Sequence, residues 1–430
     1  MRIAFTTLGC KVNQYETENL AELFSRDGFE VVEPQDAADV YVVNSCTVTA
    51  SGDKKTRQLL RRLKKQNPGA IGALTGCFPQ AFPDAAEKIP EADVITGSSN
   101  RGALLPAVKE ALATGRRVID IQPHERGEKF EHMAVTGLRG RTRAFVKIED
   151  GCERYCSYCI IPKARGPVRS KPLEEIRQEL AALARNGYRE AVLVGINLSS
   201  YGKDLGLRLI DAVQAACRVD GIERVRLGSL EPELLTAEDI RAMAAEEKFC
   251  PQFHLALQSG CDKTLRAMNR HYDSAEYARI VRDIREAFDN VSITTDVMVG
   301  FAGETGEDFE ESLRFVRSVG FAKVHVFSYS RRPGTAADKR PGQVPSSVKE
   351  ERSRRMIEAT DGTRKEFLLG QLGRVEEVLV ETTRSPLGFE GFTKNYTPVY
   401  VDCDPALCGR VVKVRLEAVL EGHCIGTLQL

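Results

Sequence analysis

The sequence predicts an α/β protein in three parts: an N-terminal parallel α/β domain, a central partial (β/α)6 barrel and a small C-terminal β-barrel. Three observations predict this. Strand-like apolar runs alternate with amphipathic helical stretches over most of the chain, the pattern of parallel sheets wound with crossover helices. The pattern comes in two series, split by a polar, Gly-containing stretch at 124–143 that reads as a linker. Beyond about residue 370 the helical period disappears, and short alternating stretches punctuated by Gly and Pro take over, as in small barrels that bind RNA. A length of 430 residues leaves room for about three domains.

Composition narrows the class. Hydrophobic residues make up 42% and charged residues 28%, the balance of a globular protein with full cores. No apolar run approaches the roughly 20 residues that cross a bilayer. Met1-Arg2-Ile3-Ala4-Phe5 moves directly into a strand, without a signal peptide's apolar stretch and cleavage site. The expectation is a cytoplasmic protein with no membrane partner. The formal net charge is zero, so a nucleic-acid partner has to be met by a local basic patch. Twelve cysteines in a reducing compartment point to metal or redox chemistry rather than to disulfides.

In the first part, residues 1–125, strands are expected at 3–8, 39–43, 70–74 and from 94, with helices at 14–26, 49–65 and 103–112. Each of the first three strands runs into a cysteine: Leu8-Gly9-Cys10, Asn44-Ser45-Cys46 and Thr75-Gly76-Cys77. Open parallel sheets bind ligands at the carboxyl ends of their strands, so this topology gathers three thiols at one sheet edge. Gly9 and Gly76 relieve crowding just before two of them. A lone cysteine is usually a small buried hydrophobe; three at equivalent strand ends predict a shared metal site.

In the second part, residues 138–368, strands are expected at 144–148, 191–194, 224–227, 253–257, 292–299 and 323–327, with helices such as 173–184, 275–287 and 307–319. Six successive units suit an open or partial barrel better than the closed eightfold one. A charged helix at 348–369 leads into residues 370–430, where 375–381, 396–401, 411–417 and 426–428 alternate as short strands.

The sharpest local signal is the C-x3-C-x2-C triad Cys152, Cys156 and Cys159, just after the first strand of the six-unit series, where such folds carry their chemistry. An ordinary cubane takes four cysteines, so three leave one iron open to a substrate or cofactor. Tyr158 sets an aromatic ring beside it. A zinc site would want a fourth Cys or His nearby, and the next cysteine is the distant Cys217.

The triad, its aromatic and the six units resemble the radical S-adenosylmethionine (SAM) superfamily. There the open iron binds the amino and carboxylate groups of SAM, and reductive cleavage gives a 5′-deoxyadenosyl radical. With Cys10, Cys46 and Cys77 upstream, the whole chain resembles the radical SAM methylthiotransferases. That resemblance implies two 4Fe-4S clusters, one on each set of three cysteines, and a C-terminal TRAM domain. It also implies two uses of SAM, as methyl donor and as radical source. The segment Thr7-Leu8-Gly9-Cys10-Lys11-Val12-Asn13-Gln14 is most similar to the MtaB-type branch, which methylthiolates carbon 2 of N6-threonylcarbamoyladenosine at tRNA position 37. The isopentenyladenosine-directed branch usually shows Gly-Cys-Gln-Met-Asn here, and the ribosomal-protein-directed branch Gly-Cys-Pro-Lys-Asn. Another modified tRNA adenosine, a ribosomal protein side chain, or a non-catalytic iron–sulfur RNA-binding protein are the alternatives.

Pro162 to Ser170 follows the triad as the resemblance expects. Gly195 and Asn197, Gln258 and Ser259, and Gly303 and Glu304 end barrel strands where SAM would lie, although each could equally be turn chemistry. In Gly300-Phe301-Ala302-Gly303-Glu304 the alanine replaces the family's usual proline, which removes a rigid turn residue but no ligand. No acid–base catalyst is nominated. The expected partners are the anticodon stem-loop of tRNA, a low-potential electron donor such as flavodoxin or ferredoxin, and a sulfur source. For RNA contact the candidates are Lys54, Lys55, Arg57, Arg61 and Arg62 on a basic helix, a pattern also found on solvated faces. Phe392 and Lys394, with Phe389, Asn395 and Tyr396, suit unpaired bases or the filling of a small β-core. Cys217, Cys250, Cys261, Cys403, Cys408 and Cys424 show no cluster-like arrangement.

Overall fold

A computed structural model describes residues 1–429. Its N-terminal part is a six-stranded, all-parallel sheet in the order Glu30–Val32, Arg2–Thr7, Val40–Ser45, Ile71–Gly76, Val94–Thr96 and Val118–Asp120. The period-two alternation of a strand sends neighbouring side chains to opposite faces. Ile3 and Phe5 thus pack with Leu20, Phe24 and Val108 on one face. Ala4 joins Tyr41, Val43, Leu60 and Leu74 on the other. Both faces are covered by helices, as an all-parallel sheet requires. The two outermost strands, Glu30–Val32 and Val118–Asp120, were not legible in the sequence. Each has three residues and pairs on one side only, too short to express an alternation.

The central part places its strands side by side, all parallel: Arg143–Lys147, Glu190–Val194, Arg224–Leu227 continuing through Gly228 into Ser229–Leu230, then Gln252–Leu255, Ser292–Val299 and Lys323–Ser328. These are the six expected strands, curved into an open half-barrel. Outside it lie Leu173–Arg185, Leu209–Cys217, Ala237–Ala244, Ser274–Ala287 and Gly306–Val319, which bury Ile176, Leu180, Val213, Ile240, Ile280 and Val316 in one continuous core. Thr305 caps Gly306–Val319 by accepting from Asp308 N, and Asp308 bonds back to Thr305 N, which satisfies two donors at the helix start.

The helix Ser346–Leu369 leads to a closed five-stranded barrel: Val375–Ser385, Gly388–Thr393, Pro398–Val401, Val411–Leu420 and His423–Leu428. The second strand was missed in the sequence because Gly388 and Gly391 break its pattern. Both glycines admit a close backbone: a Cβ on Gly391 would lie 2.8 Å from Leu379 O. This small barrel plugs the N-terminal end of the half-barrel. The buried Arg224 donates to Phe392 O (3.1 Å) and Glu377 O (2.7 Å), and Arg226 donates to Lys394 O (2.9 Å).

The stretch between the first two parts is more than a tether. Met133, Val135 and Leu138 are buried in the central core, and Met133 O accepts from Tyr15 OH (3.0 Å) and Lys171 Nζ (2.6 Å). It straps the N-terminal sheet onto the half-barrel.

Candidate functional site

The two sets of thiols reach one seam by different routes. Cys152, Cys156 and Cys159 lie on the loop after Glu149–Asp150, at the C-terminal mouth of the half-barrel. Backbone bonds shape this loop: Cys152 N to Gly166 O (3.0 Å), Cys159 N to Cys156 O (2.9 Å) and Ser157 N to Met268 O (2.9 Å). All three thiols are half-buried. Tyr158 turns inward, edge-on to Phe301 at 6.4 Å. Arg270 donates to Cys156 Sγ (3.3 Å) and to Glu231 Oε1 (3.2 Å).

Cys10 caps the helix Lys11–Arg26, Cys46 follows Val40–Ser45, and Cys77 opens Cys77–Ala81 directly after Ile71–Gly76. The glycines before two of them are required. Gly9 (φ +122°) and Gly76 (φ +95°) have left-handed backbones, and added Cβ atoms would lie 2.9 Å from Cys46 Cβ and 2.4 Å from Asn44 Oδ1. Asn13 ties the strand ends together: its amide donates to Leu8 O (2.9 Å) and Ser45 O (3.0 Å). Its carbonyl accepts from Arg165 Nη2 (2.6 Å) and from the Cys10 thiol (3.7 Å).

The sets meet across residues 160–165. Cys77 packs against Ile160 and Ala164, just beyond Cys159, and its sulfur accepts from Arg165 Nε at 3.1 Å. Around Arg165 lies a closed charge network. Glu16 meets Arg165 (2.5 Å), Arg101 (2.7 Å) and Lys147 (2.7 Å), while Lys147 also reaches Asp150 (2.6 Å). Burial alone would raise the Glu16 carboxyl, but Arg101, Arg165 and Lys147 outweigh it and hold it down to about 2.

Burial pushes the Cys77, Cys152 and Cys159 thiols up to about 12. They are neutral on their own and become thiolates when a metal supplies positive charge. Among the described residues no three Cys, His, Asp or Glu converge on a point that one metal ion could fill. In a polynuclear cluster each thiolate takes a different iron, and the loop offers three half-buried thiols.

The other strand-end candidates share the mouth with the cysteine loop. Gly195 lies against the Glu149 carboxylate, which accepts from Asn197 N at 2.7 Å. Asn197 is buried, and neither atom of its side-chain amide has a hydrogen-bond partner, so a ligand there would satisfy it. Gln258 adopts φ +65° and clips onto Ser292–Val299 through Asp296 O (2.9 Å) and Met298 N (2.8 Å). Ser259 Oγ accepts from Cys261 N (3.2 Å), and Gly303 N donates to Gly342 O (2.8 Å). The Glu304 carboxylate is engaged elsewhere: it accepts from Gly300 N (2.8 Å) and Arg352 Nη1 (2.6 Å), anchoring Ser346–Leu369.

Lys54, Lys55, Arg57, Arg61 and Arg62 are exposed on Ala50–Gln66, while Leu60 and Leu63 are buried beneath. Arg61 is taken by Glu91 (3.0 Å), and Arg57 lies over the Phe78 ring (5.9 Å). Phe392 and Lys394 sit at the seam of the two barrels. Phe392 stacks on Tyr396 (4.6 Å) with Arg143 over both rings, and Lys394 donates to Glu247 O (2.8 Å). Phe389 fills the small barrel's core. Sequence reasoning missed Asn13, Arg165 and Arg270 as supports of the thiols. Asn13 and Arg165 both stand in motifs the sequence offers, but they are 152 positions apart, and only the fold pairs them.

The chain is similar to known proteins over most of its length. Residues 146–316 match the model described as Radical SAM superfamily, and residues 2–97 match Uncharacterized protein family UPF0004. The chain is 36% identical to the threonylcarbamoyladenosine tRNA methylthiotransferase MtaB of Bacillus subtilis (strain 168), over 96% of this chain and 93% of that one. It is 35% identical to the tRNA-2-methylthio-N(6)-dimethylallyladenosine synthase of Pelotomaculum thermopropionicum (strain DSM 13744 / JCM 10971 / SI), over 98% and 96%. Among solved structures it superposes on the radical SAM methyltransferase TsrM from Kitasatospora setae with a TM-score of 0.58 at 14% identity, covering 78% of this chain and 74% of that one, a likeness of fold.

Proposed function

Because the chain belongs to the radical SAM tRNA methylthiotransferase family, we propose that it converts N6-threonylcarbamoyladenosine at tRNA position 37 to its 2-methylthio derivative. Cys152, Cys156 and Cys159 hold one 4Fe-4S cluster, and Cys10, Cys46 and Cys77 hold a second. The observation that carries this reading is the contact of Cys77 with Ile160, Ala164 and Arg165, which sets the strand-end thiols against the segment leaving the cysteine loop. When bound, the two clusters supply SAM cleavage to a radical and delivery of a methylated sulfur.

The chain's own groups position and shield. Tyr158 and Phe301 would wall the loop cluster, and Arg270 donates to Cys156 Sγ, which fixes that side chain in place. Asn197, Gln258, Ser259, Gly195 and Gly303 border the SAM pocket, and Glu304 holds that rim in place through Arg352. Lys54, Lys55 and Arg62 approach the tRNA backbone. A low-potential electron donor and a sulfur source serve the enzyme, in the cytoplasm where tRNA is modified. The choice of substrate within the family rests on the segment Thr7-Leu8-Gly9-Cys10-Lys11-Val12-Asn13-Gln14.

The test is nucleoside analysis by mass spectrometry after anaerobic turnover on two tRNAs, one bearing threonylcarbamoyladenosine and the other dimethylallyladenosine. A methylthio product from the first alone is expected. Product from the dimethylallyl tRNA alone overturns the substrate reading and leaves the chemistry standing.

A further inference from the structure

The half-barrel has an inner face that its own side chains leave open. Along Ser292–Val299 burial alternates with a period of two: Ile293, Thr295, Val297 and Val299 are buried, while Thr294, Asp296 and Met298 remain partly accessible. His254 stands on the same face, with Nδ1 3.0 Å from Thr294 Oγ1 and Nε2 3.3 Å from Asp296. His325 follows, its ring 5.8 Å from that of His254. Two residues on, and so on the same face, Phe327 is 51% exposed. An uncovered aromatic ring beside polar side chains suits a splayed-out base.

Lys11 extends onto this face from the N-terminal unit, one residue after Cys10. Its ammonium lies 5.9 Å from the centre of the Phe145 ring on the first strand and remains accessible. It is within electrostatic reach of Arg143, Arg226 and Glu190, and of His325. Two of its cationic neighbours already have partners: Arg143 pairs with Glu381 (2.8 Å) and Arg226 with Glu190 (2.8 Å). Among the described residues Lys11 meets no carboxylate. Arg141 over the same Phe145 ring, which donates to Gln14 Oε1 (3.2 Å), and Lys323 at the start of the His325 strand are likewise outside any ion pair, but Lys11 is the one next to Cys10 in the chain.

We infer that Lys11 selects the tRNA base by pairing with the carboxylate of its threonylcarbamoyl group. The inference rests on the substrate reading above and deepens it. In the adenine ring, C2, which receives the sulfur, and C6, which bears the substituted nitrogen, flank a single ring nitrogen. Cys10 is within electrostatic reach of the Lys11 ammonium, so a base whose C2 faces Cys10 has its N6 substituent, one ring nitrogen away, within range of Lys11. The threonyl carboxylate gives Lys11 the partner it lacks. A dimethylallyl group offers no acceptor and would cover the ammonium without pairing it, the condition under which polar sites discriminate most strongly.

The experiment compares kcat/KM of the reconstituted holoenzyme on two anticodon stem-loop RNAs. One carries threonylcarbamoyladenosine; in the other its carboxylate is replaced by a carboxamide. A charge-assisted hydrogen bond predicts a loss of about tenfold to a hundredfold for the carboxamide with wild-type enzyme. Lys11→Met loses a similar factor on the carboxylate RNA and no longer distinguishes the two, whereas Lys11→Arg keeps the preference. Equal rates on both RNAs by the wild type, or an undiminished preference in Lys11→Met, overturn the inference while the substrate reading stands. Should Lys11→Met fail to fold or to bind iron, the wild-type pair and Lys11→Arg decide. If the wild type acts on a dimethylallyladenosine RNA and on neither of these, the substrate reading fails and takes the inference with it.

Discussion

The thiols of the cysteine loop and those of the N-terminal sheet differ in how the chain assembles them. Cys152, Cys156 and Cys159 come from one loop, held by bonds such as Cys159 N to Cys156 O at 2.9 Å. Cys10, Cys46 and Cys77 come from three strand ends, and no local bond joins them. Parallel pairing of Arg2–Thr7 with Val40–Ser45, and of that strand with Ile71–Gly76, brings them level. A loop site depends on its own turn geometry, while a strand-end site depends on the register of a whole sheet. The difference teaches that one site can be edited locally and that the other inherits every change in the sheet and its seam.

The sharpest way to break the comparison is to remove each set in turn. Cys152→Ala/Cys156→Ala/Cys159→Ala should abolish both 5′-deoxyadenosine release from SAM and tRNA methylthiolation. Cys10→Ala/Cys46→Ala/Cys77→Ala should abolish methylthiolation while 5′-deoxyadenosine release persists. Chromatographic assay of both products on the same preparations checks this; persistent methylthiolation in either variant contradicts it.

Arg165→Met is expected to act next most strongly. It removes the group that meets Cys77, Asn13 and Glu16 together. Breaking a buried charge network by deleting one partner costs about 3–5 kcal/mol, measurable as a fall in the urea midpoint. A loss of iron confined to the strand-end set would accompany it, because the loop triad does not use this guanidinium.

Acid tests the same seam. Glu16 is held at about 2 against an ordinary value of 4.5, so the stability it contributes is complete above pH 4.5 and fades as the pH falls towards 2. The N-terminal sheet should stay clamped to the half-barrel at pH 5 and loosen below about pH 4, seen by hydrogen exchange in Lys11–Arg26. Glu16→Gln should make that slope shallower, leaving the share of Asp150, whose carboxyl, despite burial, is held well below the usual range by Lys147, Arg165 and Arg101. The smallest effects belong to the basic helix. Replacing Lys54, Lys55 and Arg62 singly by Ala should lower the salt dependence of tRNA binding by about one phosphate contact each, with SAM cleavage untouched.

The legibility of the molecule follows the same division. Cys152, Cys156 and Cys159 were readable because their spacing is local, and the six central strands because each carries its own run, as in Ser292–Val299. The alignment of Cys10, Cys46 and Cys77 was readable only through the rule that parallel strands present their ends together. What the sequence could not express was pairing at a distance: Arg165 with Asn13, Arg270 with Cys156, and Phe392 with the floor of the half-barrel. Such partners leave no periodic trace, since each is one residue whose meaning depends on another part of the chain. Glu304 makes the same point from the other side, for its place at a strand end was legible and its engagement by Arg352 was not.

The most direct measurement is iron and acid-labile sulfide per chain after anaerobic reconstitution, in the wild type and both triple variants. The account predicts about eight irons in the wild type and about four in each variant, two cubanes held independently by two sets of thiols. Full iron retention by Cys10→Ala/Cys46→Ala/Cys77→Ala would contradict it and leave the strand-end thiols without a cluster.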